Sequence, residues 1–503
     1  MFETIRLLGQ GFLECMTVVN LVAALIGVLI GTLIGVLPGL GISGTVAILL
    51  PVTYGMSPLT AIIMIAGVYY GAQYGGAITS VLVNMPGEAT SIVTCFDGHP
   101  LAKKGLGGKA LAISAISSFA GGTVGLIGLT FCATWLARIA LSFGKGEFLA
   151  IVVFGLLLLT NLSGKDRLKG IIVVCMGVLI GCIGLDELFG SPRFTFGIVH
   201  LYKGISFVTF IMGVYGISEL LSAVSSPEEK GDIMKFHMRD QFPTVKELRQ
   251  VSSSIARGCA IGFGIGLVPG AGATIATFCA YGAERSFSKH PEEFGTGILQ
   301  GVAAPESSNN AAIYGGMVAL LSLGLPFTSS MAMLMSAFVV HGITPGPMLI
   351  TEHPEIFWGL IASMFIGNIL LLIINLPLVG IWASLLKIDF SLLMPIITFI
   401  TFTGGFAING SLFDLGVMVV CGVLGFFLGG TGYNMAALAV GMFLSGTLED
   451  ALAGTMTLYH GNMGAMLVDR PIAAVILASA LLVVLISGTK TMRKRVLKRF
   501  QTR

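Results

Sequence analysis

Two short segments rich in glycine and proline interrupt apolar stretches of this chain and have the composition of anion-binding loops. Residues 35–41 are Gly-Val-Leu-Pro-Gly-Leu-Gly, and residues 266–272 are Gly-Leu-Val-Pro-Gly-Ala-Gly. Because proline removes a backbone donor and glycine tolerates non-helical dihedral angles, each segment is expected to end a helix. A new helix beginning near Gly41 or Gly272 would direct free N–H groups and the positive end of its dipole at a carboxylate or phosphate.

A second pair of matching segments predicts two further helix breaks. Residues 84–88 are Asn-Met-Pro-Gly-Glu and residues 324–328 are Gly-Leu-Pro-Phe-Thr. Close helix packing is the alternative role for the loop glycines, but it does not explain proline at the same place in both copies. The predicted substrate-binding residues are Gly39, Gly41, Ser43, Gly44, Thr45, Asn84, Pro86, Gly270, Gly272, Ala273, Thr274, Pro326 and Thr328.

A dense polar run at residues 304–311, Ala-Pro-Glu-Ser-Ser-Asn-Asn-Ala, lies inside an otherwise apolar segment. Ionisable residues at membrane depth are costly and are functional by default. Glu306 is therefore expected to hold a coupling cation or proton, with neutral oxygens or donors from Ser307, Asn309 and Asn310. A short surface loop between two helices is the alternative interpretation.

The paired segments indicate an internal duplication. An offset of 231 residues superposes Pro38 on Pro269, and an offset of 240 superposes Tyr74 on Tyr314 and Pro86 on Pro326. A nine-residue insertion between the two motifs reconciles the offsets. The polar run that contains Glu306 has an apolar counterpart at residues 64–71, so that feature is asymmetric.

The composition excludes a soluble globular protein, because 55% of the 503 residues are hydrophobic and only 11% are charged. A spanning helix needs about 20 mostly apolar residues, and the chain holds about 10 to 14 candidate transmembrane or re-entrant helices. We therefore predict an all-α polytopic membrane protein in two internal repeats, with broken helices at the binding site. We expect the repeats to be inverted, as they are in many transporters.

Charge distribution predicts the topology. The predicted regions are a first repeat half at 1–224, a cytoplasmic connector at 225–250 and a second half at 251–503. The last 15 residues carry seven basic residues and no acid, which places this tail in the cytoplasm by the positive-inside rule.

Several catalytic chemistries lack their motifs. No Walker A sequence is present, so ATP is not expected to power the protein. Residues 41–44, Gly-Ile-Ser-Gly, are similar to the serine motif of intramembrane proteases, with His200, His341 and His460 as candidate bases. The second copy replaces Ser43 by Thr274, which favours a binding motif over a catalytic one. We expect no enzymatic activity, no metal site and no organic cofactor.

Taken together, these motifs resemble those of the large permease subunit of the tripartite tricarboxylate transporters, the TctA family. The resemblance covers essentially the whole chain and depends on the combination of Leu-Pro-Gly-Leu-Gly, Val-Pro-Gly-Ala-Gly-Ala-Thr, Tyr-Gly-Gly, Asn-Met-Pro-Gly-Glu and Ala-Pro-Glu-Ser-Ser-Asn-Asn-Ala-Ala. It implies a multi-pass secondary transporter of the bacterial inner membrane, driven by a sodium or proton gradient. Its implied substrate is citrate or a related organic acid, and its implied partners are a periplasmic solute-binding protein and a small membrane subunit.

An anion-selective channel is the main alternative. It would use the same helix ends but need neither a coupling ion nor a binding protein. A continuous wet pore is expected to carry more charged residues along several helices than this chain has. An intramembrane serine protease is the third alternative.

Overall fold

The computed structural model describes residues 2–36, 41–162, 167–186, 190–225, 242–268, 272–385 and 390–482. In chain order its helices are α1 (Phe2–Cys15), α2 (Val18–Val36), α3 (Ile42–Thr53), α4 (Pro58–Val83), α5 (Ile92–Lys103), α6 (Gly107–Ala140), α7 (Lys145–Leu162), α8 (Arg167–Gly181), α9 (Phe207–Ile211), α10 (Ser218–Ser225), α11 (Val245–Gly266), α12 (Gly272–Phe287), α13 (Leu299–Leu323), α14 (Ser329–Val340), α15 (Leu349–Glu352), α16 (Pro354–Leu385), α17 (Phe390–Asn409), α18 (Leu412–Gly430), α19 (Met435–Leu458), α20 (Met463–Asp469) and α21 (Pro471–Leu482). A π-helical segment, Met212–Ile217, joins α9 to α10. Two short strands, β1 (Gly184–Leu185) and β2 (Pro192–Arg193), pair antiparallel.

The prediction of an all-α polytopic membrane protein is confirmed. Within the described ranges, seven helices are long and apolar enough to cross a membrane. They are Val18–Val36, Pro58–Val83, Gly107–Ala140, Phe207–Ser225, Pro354–Leu378, Leu412–Gly430 and Met435–Leu458. The helices α3 and α14 are apolar but too short to span by themselves, as expected of helices that begin at a break.

The chain forms two compact units, each built from two separate parts of the sequence. The first comprises Met1–Arg138 and Val208–Phe426, and the second comprises Ile139–Phe207 and Phe427–Arg503. These units do not coincide with the predicted repeat halves, which remain a prediction. Helix α11 begins at Val245, within the last residues of the predicted connector 225–250. The first turns of α11 are polar and precede its apolar part, so the apolar pattern begins later than the helix does.

The first unit is built around α4 and α13. Every residue from Thr60 to Leu82 on α4 and from Gly301 to Ser322 on α13 is buried. Helix α2 packs along α4, and α11 packs along α13. Because neighbouring helices surround α13, its polar residues are shielded from lipid, and the surface-loop interpretation of residues 304–311 is wrong.

The two helix pairs approach each other in the same way. A Cβ atom on Gly27, Gly31 or Gly35 of α2 would overlap a backbone carbonyl oxygen of α4, at Met64, Val68 and Ala72 respectively. At Gly258, Gly262 and Gly266 of α11 it would overlap the carbonyls of Ala304, Ser308 and Ala312 on α13. The second set of glycines lies 231 residues after the first, and the second set of carbonyls lies 240 residues after the first. Small residues at these positions let the helix backbones touch.

Asp97 of α5 fixes the chain that leads into α13. Its carboxylate is fully buried and accepts a hydrogen bond from the Tyr281 hydroxyl at 2.8 Å. It also accepts three backbone N–H groups at 2.8–3.0 Å, from Gly295, Gly297 and Ile298. Hydrogen bonds to a buried carboxylate replace the water that it loses, so this contact positions α13 relative to α5 and α12.

The start of α11 is tied to the start of α6 by an ion pair. The Lys109 ammonium lies 2.7 Å from the Glu247 carboxylate, and Glu247 also completes a capping box with Thr244. The Lys109 hydrogen bond, together with the Thr244 backbone N–H, lowers the pKa of Glu247 to about 2. Since this pKa is depressed, the pair stabilises the fold above the ordinary Glu pKa and loses that effect as pH falls toward 2.

The second unit contains α7, α8, α19, α20 and α21. Helix α8 packs on α19, where a Cβ on Gly177 would overlap the Leu438 carbonyl. Arg193 of β2 makes a bidentate pair with Glu449 of α19, with distances of 2.7 and 2.9 Å. The α20 and α21 helices meet at an angle of 112°.

A pair of single-methyl substitutions on α11 tests the close packing. Gly262→Ala is expected to lower the free energy of unfolding by about 1–3 kcal/mol, because its Cβ overlaps the Ser308 carbonyl. Gly264→Ala, two residues along the same helix, has nothing within 4 Å of its Cβ and is expected to be neutral or slightly stabilising. Thermal unfolding of the two purified variants in one detergent gives the comparison. Equal melting temperatures would contradict the packing.

Candidate substrate and ion sites

The helix break predicted before Gly41 is present. Helix α2 ends at Val36 and α3 begins at Ile42, with Gly41 as an extended N-cap residue at φ −74° and ψ 162°. The Gly41 carbonyl accepts hydrogen bonds from the Thr45 N–H at 3.1 Å and the Thr45 hydroxyl at 3.0 Å. Gly39 lies outside the described residues.

The N-terminus of α3 already has carboxylates against it. The Gly41 N–H donates to Glu219 Oε1, and the Ile42 N–H donates to Glu88 Oε1 at 3.3 Å. A Cβ on Gly44 would overlap Oε2 of Glu219, so glycine is needed there for the carboxylate to approach. The expectation of free N–H groups at the first break is therefore wrong for Gly41 and Ile42, because side-chain oxygens of the protein itself accept their hydrogens. Ser43 is half-buried beside them.

Glu219 reaches α3 from a helix with irregular winding. The π-helical segment Met212–Ile217 ends two residues before it, and α3 packs against both that segment and α14. Insertion of a π turn rotates the following residues relative to a regular helix, and such turns are frequent at functional sites. The winding thus sets the direction in which Glu219 leaves its helix.

The second interruption is also present and differs from the first. Helix α11 ends at Gly266, and α12 begins at Gly272, which has φ +66°. A Cβ on Gly272 would meet nothing within 4 Å. Among the residues that the structure describes, no group accepts a hydrogen bond from the first N–H groups of α12, at Gly272, Ala273 and Thr274. Gly270 lies outside the described residues.

A cavity opens at the start of α12. Its lining includes Tyr69, Gly272, Ala273, Phe327, Thr328 and Met331. Thr328 is the N-cap of α14, where its hydroxyl accepts the Met331 N–H at 3.2 Å. Helix α12 and helix α14 therefore both begin at this cavity, which gives it N–H and hydroxyl groups and no described carboxylate.

The second pair of breaks has matching caps. The C-cap residue of α4 is Asn84 with φ 59°, and that of α13 is Gly324 with φ 71°. The next N–H bonds back across the last turn in both, from Met85 to Thr79 and from Leu325 to Ala319, each at 3.4 Å. Asn84 and Pro86 are exposed and Pro326 is buried, and none of the three lines the cavity at α12.

Glu306 lies in the middle of α13 and is 1% exposed. Thr94 of α5 donates to Glu306 Oε1 at 2.5 Å, and Ser118 of α6 donates to Oε2 at 2.9 Å. No basic side chain in the described part of the chain forms an ion pair with it. A buried carboxylate without a counter-charge must be neutralised by a proton or a cation.

The other residues predicted to accompany Glu306 have different contacts. The Ser307 hydroxyl donates to carbonyls of its own helix at 2.9 and 3.1 Å. The Asn310 amide donates to the Glu306 backbone carbonyl at 3.2 Å. The Asn309 amide donates to Gln73 Oε1 on α4 at 3.2 Å, and the same oxygen accepts the Thr90 hydroxyl at 3.0 Å. The structure therefore does not bring their side chains to the Glu306 carboxylate.

One short segment supplies a side chain to each of these polar groups. Between the end of α4 and the first turn of α5, Glu88 faces the start of α3, Thr90 bonds Gln73, and Thr94 bonds Glu306. Displacement of this segment would change all three contacts at once.

Comparison with known proteins agrees with the motifs. The model of the tripartite tricarboxylate transporter TctA family matches residues 21–440. The chain belongs to this family. It is 42% identical over 495 residues to an uncharacterised 52.8 kDa protein in the TAR-I ttuC′ 3′ region of Agrobacterium vitis, covering 98% of each chain. It is also 42% identical over 231 residues to an uncharacterised protein in the TAR-II ttuC′ 3′ region of that organism, covering 46% of this chain and 95% of that one. No solved structure matches.

Sequence reasoning about this TctA-family chain missed four side chains that the structure places at the sites. Glu88 and Glu219 lie at the α3 N-terminus, and Thr94 and Ser118 contact Glu306. Glu219 did carry a signal, since it is an acid inside the apolar stretch 204–224. Thr94 and Ser118 carried none, because hydroxyls are common in membrane helices and their partner comes from a distant part of the chain.

Removal of the Glu219 carboxylate tests its role at the α3 N-terminus. Glu219→Leu is expected to lower the free energy of unfolding by about 1–3 kcal/mol, because the Gly41 N–H loses its acceptor. Glu219→Gln keeps an acceptor oxygen and is expected to retain most of that stability. Melting temperatures of both variants provide the measurement, and an unaffected leucine variant would show that the contact contributes nothing.

Proposed function

We propose that this TctA-family chain is the membrane subunit that imports a carboxylate, such as a tricarboxylate or a related organic acid, by means of an ion gradient. The observation that carries the proposal is the second helix break. There a helix N-terminus and a threonine-capped helix start share one cavity, and no described residue takes the N–H groups of α12. This is the arrangement by which broken membrane helices receive anionic substrate groups.

The difference between the two breaks favours the N-terminus of α12, rather than that of α3, as the substrate-binding helix end. Glu88 and Glu219 already accept the N–H groups of Ile42 and Gly41 at the start of α3, so these groups are not available to a substrate. At an offset of 240 residues, Thr328 stands where Glu88 stands in the first copy. The N-terminus of α3 bonds a glutamate side chain of the chain itself. With a threonine hydroxyl in place of that glutamate, the N-terminus of α12 can instead accept an anion from outside the protein.

Uptake against a gradient needs a coupling ion, and Glu306 is the residue we assign to it. Its burial without a basic partner makes its charge state depend on a bound proton or cation. Glu306 lies on α13, whose far end at Ser322 precedes the break that leads to Thr328. A charge change on α13 can therefore act on the substrate cavity through one continuous helix.

We further propose that the two halves are repeats with inverted orientation in the bacterial inner membrane. The matching glycine contacts of α2 with α4 and of α11 with α13 support the duplication, and the basic end of the chain supports a cytoplasmic C-terminus. Membership of a tripartite transporter family supports two partners, a small membrane subunit and a periplasmic solute-binding protein. The solute-binding protein would deliver the substrate to the cavity.

Reconstitution tests the function directly. Proteoliposomes that hold this chain, its small partner and its binding protein are given labelled citrate and a panel of other carboxylates, with an imposed sodium gradient, proton gradient or neither. Accumulation that requires both a gradient and the binding protein is expected. Equilibration without either would instead favour an anion-selective channel.

Filling the cavity should strongly lower the rate of uptake. Ala273→Leu is expected to lower uptake about tenfold or more, equivalent to at least about 1.4 kcal/mol of lost substrate binding, because its side chain enters the cavity. Gly282→Ala lies on the same helix with nothing within 4 Å of its Cβ and serves as the control. Uptake by the leucine variant at the control rate, with equal amounts in the membrane, would exclude this cavity as the substrate site.

Removal of the Glu306 charge should separate coupling from substrate binding. Glu306→Gln has the same shape and can still accept from Thr94 or Ser118. We expect it to lose the gradient dependence of uptake while substrate binding changes little. Wild-type dependence on both gradients in this variant would remove Glu306 from the coupling step.

A further inference from the structure

The cavity at the start of α12 offers room and hydrogen-bonding groups for one small anionic group. Its open space is about 30 Å³, which holds about two water molecules. The polar groups in its lining are the hydroxyls of Tyr69 and Thr328 and the first N–H groups of α12. A carboxylate group has only three heavy atoms, so the open space suits one such group.

The other side chains at this cavity are apolar. Ile313 of α13, Phe327 and Met331 of α14 are buried and line the same space. A Cβ atom on Gly316 of α13 would overlap the Met331 methyl group, so the Met331 side chain reaches from α14 to α13 beside the cavity. A ligand whose carboxylate is held at the α12 N-terminus would therefore have its remaining atoms against apolar side chains.

The first copy has small or polar residues at the corresponding positions. At an offset of 240 residues, the three apolar residues of the cavity correspond to Gln73, Gly87 and Ser91. Gln73 and Ser91 both make side-chain hydrogen bonds at the first break. A Cβ atom on Gly87 would overlap the Gly35 carbonyl, whereas the second break has room for the whole ring of Phe327. The apolar character is thus specific to the break that opens on the cavity.

A second carboxylate on a substrate would find no partner here. One helix N-terminus supplies one anion site, and the cavity lining in the described part of the chain contains no Lys, Arg or His. Burial of a charge without a partner is costly. The N-terminus of α3 does not offer a second site, because its first N–H groups already bond Glu88 and Glu219.

We propose that the substrate is a monocarboxylate with an apolar body, and that Phe327 and Met331 set this specificity by contact with that body. The inference rests on the proposed function, because it narrows the substrate class of the same cavity. Burial of apolar ligand surface against these side chains would contribute affinity, while the polar groups fix the carboxylate. Succinate and citrate, which carry two and three carboxylates, are accordingly expected to bind weakly.

Ligand binding to the purified full chain in detergent tests the substrate class without the binding protein, which would otherwise select the substrate. Benzoate and isovalerate carry one carboxylate on an apolar body, and acetate carries the carboxylate almost alone. Affinities come from the ligand-induced rise in melting temperature and from competition with labelled benzoate. We expect benzoate and isovalerate to bind at least about tenfold more tightly than acetate, succinate or citrate.

Two methionines one turn apart on α14 give a matched pair of variants. Met331→Ala is expected to lower the preference for benzoate over acetate about tenfold, because it removes an apolar contact at the cavity. Met335 is also buried but does not line the cavity, so Met335→Ala should keep the wild-type preference even if both variants lose stability. Phe327→Leu keeps most of the buried volume, and it should lower the preference in the same direction if Met331→Ala does not fold.

The outcomes separate this inference from the proposed function. Citrate affinity in the wild type equal to or above that of benzoate would overturn the inference, as would the absence of binding of every probe or an unchanged preference in both Met331→Ala and Phe327→Leu. Gradient-driven uptake of citrate by the proteoliposomes would in those cases leave the proposed function standing. Benzoate binding that both variants weaken, without gradient-driven uptake of any carboxylate, would overturn the proposed function and leave the ligand class of the cavity standing.

Discussion

The requirement that polar groups at membrane depth find partners inside the protein governs this structure. Unwound backbone and carboxylates cannot face lipid, because unpaired groups there cost several kcal/mol each. Helices α4 and α13 are therefore buried along most of their length, and each is covered by a glycine-bearing neighbour that touches its backbone. The broken helices and the buried carboxylate are tolerated because these pairs surround them.

The two helix pairs, α2 with α4 and α11 with α13, differ in their polar side chains at the positions where we expect function. The contacts of α2 with α4 and of α11 with α13 correspond position by position. The polar side chains at corresponding positions differ, because Glu88 corresponds to Thr328 and Gln73 corresponds to Ile313. One break consequently holds two carboxylates of the chain itself and the other opens on a cavity. If both breaks kept the same residues, the protein would offer an anion two equal sites or none.

Sequence patterns predicted the fold class, the breaks at Gly41 and Gly272 and the second breaks at Asn84 and Gly324, since proline and glycine act locally on the backbone. They could not predict what meets those breaks. Glu219 reaches Gly41 across 178 residues, and Thr94 reaches Glu306 across 212 residues. Such pairings depend on helix packing, and the same limit applies to the surroundings of Glu306. Ser307 and Asn309 follow Glu306 closely in sequence, which predicts that they act with it in ion coupling. On a helix, however, their side chains bond other neighbours.

The segment from Glu88 to Thr94 connects the proposed ion-coupling residue with the cavity proposed for the substrate. It contacts the α3 N-terminus through Glu88 and the Glu306 carboxylate through Thr94, and α12 packs against its 3₁₀ turn, Ala89–Ser91. An ion beside Glu306 would compete with Thr94 for the carboxylate oxygens and so bias the position of the segment. Since α12 begins at the cavity that we propose for the substrate, a shift of the segment would change the start of α12 at that cavity. Coupling of this kind needs only one element with two positions, each stabilised by a different set of bonds.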